Sequence, residues 1–254
     1  MSTNTFKKRY HLIDELRGFA VVCMVFYHAF YLLAFSFHLN TGFSLLNFFT
    51  PLEPLFASFF IFLSGVCSFL TRSNTKRGVK LLTVALGVTL ATAYLFPLIN
   101  LTGFEIYFGV LHLISVGMLL VALIKPIIQK IPSSVGFILC MLIFFITYNT
   151  QNGYLGFGEF SVNLPEVLYE KNLFVLGFFG DNFWSADYFP LLPWVFMFLA
   201  GAFIGKLENL GRFPKFLEKS CVPIFKFFGK YALIIYIVHQ PIIYSIFYAL
   251  GKVI

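Results

Sequence analysis

A polytopic, all-α membrane bundle of about seven spans, with its N-terminus in the cytoplasm, is the architecture this sequence predicts. Three observations carry the prediction. The first is composition: 59% of the 254 residues are hydrophobic and 11% charged, with a mean hydropathy of +0.86. Soluble domains hold about 45–50% apolar and about 25% charged residues, so this chain falls in the membrane class. The second is a set of apolar windows at 17–37, 54–71, 79–98, 107–124, 133–149, 189–205 and 229–250. Each approaches the roughly 17–25 residues that a helix needs to cross a bilayer.

The third observation is where the charges fall. A cytoplasmic N-terminus puts Lys7, Lys8 and Arg9 inside, then Arg72, Lys76, Arg77 and Lys80, then Lys125 and Lys130, then Lys206 through Lys230. Only Lys171 and Lys252 fall outside, while Glu53, Glu105, Glu159, Glu166, Glu170, Asp181 and Asp187 all lie on the outer face. The positive-inside rule produces this asymmetry. It also accounts for the net charge of +7, because the cations sit in short loops between apolar runs; no nucleic-acid partner is called for.

Taken in order, the first span follows Lys7-Lys8-Arg9 and ends near Ala34-Phe35-Ser36, which imitates a signal peptide and its cleavage site. The apolar run is too long for that and more spans follow, so it reads as an uncleaved span. Pro51 and Pro54 open the second span, and Pro190 and Pro193 the sixth, where a missing N–H is harmless. Gly201 and Gly205 form a small-xxx-small pair suited to close helix packing. Pro241 lies inside the seventh span, frees the carbonyl of Ile237 and is expected to kink the helix. The outer segment 150–188 is long, and its apolar core 173–179 is too short to cross, so a lid or re-entrant element is expected within one domain covering 1–254. Cys23, Cys67, Cys140 and Cys221 show no CxxC spacing and read as small buried hydrophobes, with Cys221, in a basic loop, open to acylation. No internal repeat, phosphate-binding glycine loop, GxSxG or HExxH occurs, and no metal site is expected.

Chemistry is expected first on the opening span. Asp14-Glu15-Leu16-Arg17-Gly18 stands at its start, and His28 follows Arg17 after ten intervening residues. At about 1.5 Å per residue that is roughly 16 Å, close to the middle of a hydrocarbon core about 30 Å thick. An ionisable group at that depth is a functional candidate by default. His28 has three readings: a satisfied core histidine, an axial haem ligand with His112 or His239 as partner, or a general base with a reference pKa near 6.5. His112 lies about one turn inside the fourth span near Glu105, and His239 lies in the seventh beside Gln240 and Pro241. Three histidines in separate spans suggest one interior site. His38 stands in the outer loop just past the first span. A transporter or flippase competes with these readings, though no paired broken helices argue for it.

Arg17-x10-His28, followed by Phe60-Ile61-Phe62-Leu63-Ser64-Gly65, resembles the opening of transmembrane acyltransferases of the acyltransferase-three kind. Three further stretches are more specific: Ile106-Tyr107-Phe108-Gly109-Val110-Leu111-His112-Leu113-Ile114, Asp187-Tyr188-Phe189-Pro190-Leu191-Leu192-Pro193-Trp194, and 228–241 from Phe228-Gly229-Lys230-Tyr231 to His239-Gln240-Pro241. Together, in this order and over nearly the whole chain, they resemble bacterial relatives of the heparan-alpha-glucosaminide N-acetyltransferase catalytic domain. The resemblance implies a multi-pass plasma-membrane enzyme passing an acetyl group from cytoplasmic acetyl-CoA to a sugar hydroxyl or amine on the far side, and direct transfer is the expected route. On that reading Arg72, Lys76, Arg77 and Lys80 hold the CoA phosphates. His112, Glu105, Asp187, His239 and Glu53 line the route to the glycan acceptor. Arg17 positions the acyl donor, and His28 is the expected base. One departure matters: in the eukaryotic lysosomal branch the position matching His28 is asparagine, and the working histidine lies just beyond the first span. His38 stands near that place, so the base is expected at His28, His38 or another residue. A homodimer is compatible with the sequence.

Overall fold

The computed structural model describes residues 10–251; Lys7, Lys8, Arg9 and Lys252 lie outside the described residues. Among the described residues, seven helical stretches are long and apolar enough to cross a membrane. They are His11–Ser36, Asn40–Leu70, Asn74–Leu98, Val110–Lys130, Ser133–Asn152, Leu191–Glu208 and Ala232–Leu250. The predicted number and order of spans therefore stand. Boundaries differ most at the second stretch, which starts at Asn40 instead of near residue 54. There helix α2 (Asn40–Phe49) runs through a 3-10 turn (Thr50–Leu52) into α3 (Glu53–Leu70), because Pro51 falls in the first turn, where its missing donor breaks nothing.

The chain divides into two compact units, with the boundary inside α3. The first holds residues 1–63 and 213–254. Its first helix, α1 (His11–Tyr31), continues into a π-helical stretch at Leu32–Ser36, after which the chain turns through His38 at φ 53°. Such widened turns tend to mark functional or strained places in a helix.

Segments from the far end of the chain pack on α1. Their designations follow the elements between: α4 (Asn74–Thr89), α5 (Phe96–Leu98), α6 (Val110–Lys130), α7 (Ser133–Thr147), α8 (Val167–Glu170), α9 (Leu191–Asn209), α10 (Pro223–Lys230) and α11 (Ala232–Gly251). Both α10 and α11 contact α1. The α1–α10 crossing depends on two glycines. A Cβ on Gly18 would stand 1.8 Å from the Phe225 carbonyl oxygen, and one on Gly229 1.8 Å from that of Asp14. The backbones touch, so no side chain fits at either position. Beside the crossing, the buried Glu15 carboxylate accepts from the amides of Cys221 (2.8 Å) and Val222 (2.9 Å) and from the Ser220 hydroxyl. A carboxylate at orphan N–H groups ahead of a helix is the arrangement that the helix dipole favours. The helix α11 runs on through Pro241 without ending there.

The second unit, Ser64–Arg212, is built on α6, which packs against α4 and α9, with α7 on α9. Gly205 meets the backbone of Val66 closely, so this small residue of the Gly201–Gly205 pair serves tight packing. Lys206 is buried on α9, and its ammonium donates to the carbonyls of Ile128 (3.1 Å), Gln129 (2.9 Å) and Ile131 (2.6 Å) at the end of α6. This cation, expected from the sequence to mark the inner face, caps a helix C-terminus.

Segment 150–188 contains a short hairpin (Tyr154–Leu155 with Val162–Asn163) and α8, and no spanning helix. It is tied down at several points. Phe189 donates to the Phe108 carbonyl at 3.0 Å, Ala186 to that of Glu105 at 2.8 Å, and the Tyr188 hydroxyl to that of Phe174 at 2.6 Å. Phe174, Phe179, Phe183 and Tyr188 stack edge and face, with centroids 4.9–5.2 Å apart for Phe183 and its neighbours Tyr188, Phe179 and Phe174. Burial pushes the Tyr188 phenol above the usual tyrosine range.

Candidate active site: a buried histidine pair

Arg17 and His28 lie eleven positions apart on α1, about three full turns, so both project from nearly the same face. The guanidinium Nε of Arg17 is buried and meets no hydrogen-bond partner among the described residues. A buried donor without a partner is uncommon in folded proteins and calls for an explanation. An anionic group of a ligand is one that suits arginine.

His28 meets the last helix. Its ring lies 5.0 Å, centroid to centroid and tilted by 55°, from that of His239. The Gln240 side-chain nitrogen donates to His28 Nδ1 at 3.2 Å, and His239 Nδ1 lies 2.7 Å from the Tyr236 carbonyl oxygen. Tyr27 packs on His28, and Tyr236 on His239. His239 itself is 6% exposed, and its Nε2 is buried with no partner among the described residues. Local sequence accounts for the geometry. His239 and Gln240 are consecutive on a helix, so they diverge by about 100° and reach different sides of the same neighbour. Pro241 supplies no N–H, which leaves the Ile237 carbonyl without its usual backbone donor. Irregular hydrogen bonding of this sort is tolerated at membrane depth where protein covers it.

The tilt and closeness of the two rings bear on the haem reading. Axial ligands stand on opposite faces of a macrocycle, and rings 5.0 Å apart leave no slot for one between them.

The other expected site residues are placed as follows. His38 is exposed beyond the π-helical end of α1, ten residues past His28. Glu53 begins α3 in the first unit, partly buried. Arg72, Lys76, Arg77 and Lys80 are all exposed around the start of α4, where the Ser73 hydroxyl accepts from the Lys76 amide at 3.3 Å.

His112, Asp187 and Glu105 gather at the start of α6 in the second unit. Asp187 Oδ2 accepts from the Val110 amide at 2.9 Å, and a Cβ on Gly109 would fall 1.9 Å from that oxygen. His112 Nδ1 accepts from the Gly109 amide at 3.3 Å, and its Nε2 lies 3.2 Å from the Thr89 hydroxyl. Both ring nitrogens of His112 are therefore engaged, and with Asp187 it satisfies amides at a helix N-terminus. Glu105 accepts from the Gly103 amide at 3.0 Å.

Sequence reasoning passed over Glu15, Lys206 and the tie between Gln240 and His28. A second acid directly after Asp14 is the available signal for Glu15, because neighbouring positions on a helix point about 100° apart and one of the two must turn inward.

No curated protein and no solved structure matches the chain. The family model described as heparan-alpha-glucosaminide N-acetyltransferase, catalytic, matches residues 9–241. That span covers both units, the Arg17–His28 face and the His239-Gln240-Pro241 turn, and the chain belongs to this family.

Proposed function

We propose that this protein is an integral membrane acetyltransferase that uses acyl-CoA as donor and a sugar hydroxyl or amine as acceptor. The acetyl group passes by direct transfer from the cytoplasmic side to the far side of a cell membrane, with His28 and His239 at the reacting centre. The observation that carries this reading is the histidine pair. Two imidazoles lie in contact on spanning helices, one with a buried ring nitrogen that has no partner among the described residues. An unused acceptor at such a place costs stability that packing does not return, and a proton-transfer role accounts for it.

Each unit, taken by itself, carries groups of the kind a CoA thioester calls for. Its phosphates call for cations, and Arg72, Lys76, Arg77 and Lys80 offer four exposed ones in nine residues. The buried Arg17 Nε is a donor in need of an anionic or carbonyl partner. In the second unit, Glu105 is suited to hydrogen-bond a hydroxylated acceptor, and the segment 150–188 to shield it. His112 and Asp187 support that region by holding the start of α6.

Purified protein in lipid, given acetyl-CoA and a panel of amino sugars, tests the proposal. Release of free CoA thiol coupled to acetylation of an acceptor is expected. Absence of CoA turnover with every acceptor, combined with CoA-independent sugar uptake in vesicles, removes the enzyme reading in favour of transport.

A further inference from the structure

We propose that the two imidazoles divide the transfer step: His239 takes the proton from the acceptor, and His28 donates a hydrogen bond to the thioester carbonyl oxygen. This rests on acetyl transfer at the pair, and it assigns the base to the last helix instead of the first.

Hydrogen-bond chemistry makes the assignment. A carbonyl oxygen only accepts, so the 2.7 Å approach of His239 Nδ1 to the Tyr236 carbonyl puts the proton of the neutral ring on Nδ1. The lone pair of His239 is then on Nε2, the buried atom with no partner among the described residues. His28 is the converse. Its Nδ1 accepts from the Gln240 amide nitrogen at 3.2 Å, so its proton is on Nε2. One ring presents an acceptor with no partner among the described residues and the other carries its proton on Nε2, with centroids 5.0 Å apart. A His28 in this state has no lone pair available for a base: one nitrogen is protonated and the other is bonded to Gln240.

The step balances with these two groups. The acceptor oxygen or nitrogen forms a bond to the thioester carbonyl carbon while its proton passes to His239 Nε2. The His28 N–H stabilises the negative charge growing on the carbonyl oxygen. The carbon–sulfur bond then breaks, and the proton on His239 moves to the sulfur, so that CoA leaves as the thiol. No oxidant or further reactant is needed. Gln240 acts as a positioning residue, since it sets which nitrogen of His28 carries the proton.

Gln240→Glu separates this assignment from its reverse. A carboxylate only accepts, so it draws the His28 proton to Nδ1 and bares Nε2. With His239 as base, that removes the donor and acetyl transfer falls tenfold or more; with His28 as base, the same change equips the base, and transfer is kept or rises. His239→Gln is expected to fall by about 10²–10⁴. His28→Gln retains an amide donor and falls less. Equal losses in the two variants, both folded by thermal unfolding in lipid, overturn the division. Imidazole ¹⁵N spectra of the wild-type protein without CoA read the tautomers directly. Protonated Nδ1 and bare Nε2 are expected at His239, the reverse at His28, with H28Q and H239Q assigning the signals; the opposite pattern overturns the proposal. A wild-type protein with no acetyl-CoA turnover defeats the acetyltransferase reading, while the spectra still decide the proton positions.

Discussion

Replacing Gly18 by alanine adds a single methyl group and tests the crossing that holds α10 on α1. The added Cβ would lie 1.8 Å from the Phe225 carbonyl oxygen, 2.7 Å from the Gly229 amide nitrogen and 2.8 Å from the Phe225 carbonyl carbon. All three are backbone atoms, so no rotamer relieves the overlap. Ordinary contact requires the helices to separate by about 1.5 Å. If α10 retreats as a body, the Glu15 bonds to Cys221 and Val222, now 2.8 and 2.9 Å, stretch beyond bonding range. Bonds to a charged group contribute about 1.5–3 kcal/mol each, and overpacking costs about 1–3 kcal/mol. Allowing for partial relaxation, a loss of about 3–5 kcal/mol is expected in chaotrope or thermal unfolding of the purified protein. Gly229→Ala strikes the same contact from the other side, so the double variant should lose less than the sum of the two. Gly87 in α4 provides the contrast. Among the described residues nothing lies within 4 Å of a Cβ there, so alanine should be neutral or stabilise by about 0.5–1 kcal/mol through reduced backbone freedom. Equal stability of the Gly18 and Gly87 variants would refute the reasoning.

Lys206→Met removes three ammonium bonds to the end of α6 and should destabilise by about 2–4 kcal/mol, seen as earlier thermal unfolding, with faster hydrogen exchange near residues 128–132. Asp187→Ala leaves the Val110 amide without its acceptor and should cost about 1–2 kcal/mol in the same unfolding assay. The Tyr188 phenol is held above its ordinary range by burial, so the bond to Phe174 contributes fully below about pH 10 and is lost as pH rises toward the raised value. An ultraviolet titration of Tyr188→Phe should lose part of the late-ionising tyrosine signal of the wild type; an unchanged titration in that variant contradicts the account.

Much of the fold was legible because a bilayer imposes length and hydrophobicity on every span. Those demands act on single segments and need no knowledge of tertiary partners. The second span shows the limit. A proline at 51 reads as a start signal, yet Pro51 occupies a 3-10 turn that joins α2 to α3, so the helical stretch begins at Asn40. At the candidate site, Arg17 and His28 were visible as polar groups in apolar runs. Which histidines meet was not, since that depends on how α11 packs on α1. His112 and His239 look equivalent in sequence, but one spends its two nitrogens on Gly109 and Thr89, and the other keeps one without a partner among the described residues. Glu15 and Lys206 looked like boundary charges because their hydrogen-bond partners lie about 205 and 75 residues away along the chain.

Transfer of labelled acetyl from acetyl-CoA by the purified protein in sealed proteoliposomes tests the central claim most directly. Acetyl-CoA is supplied on the side of the basic loops and an amino-sugar acceptor on the other. The account predicts labelled acceptor with wild-type protein and at least a hundredfold less with His239→Gln of unchanged stability. Label transferred equally well by that variant, or no CoA turnover by the wild type, would contradict it.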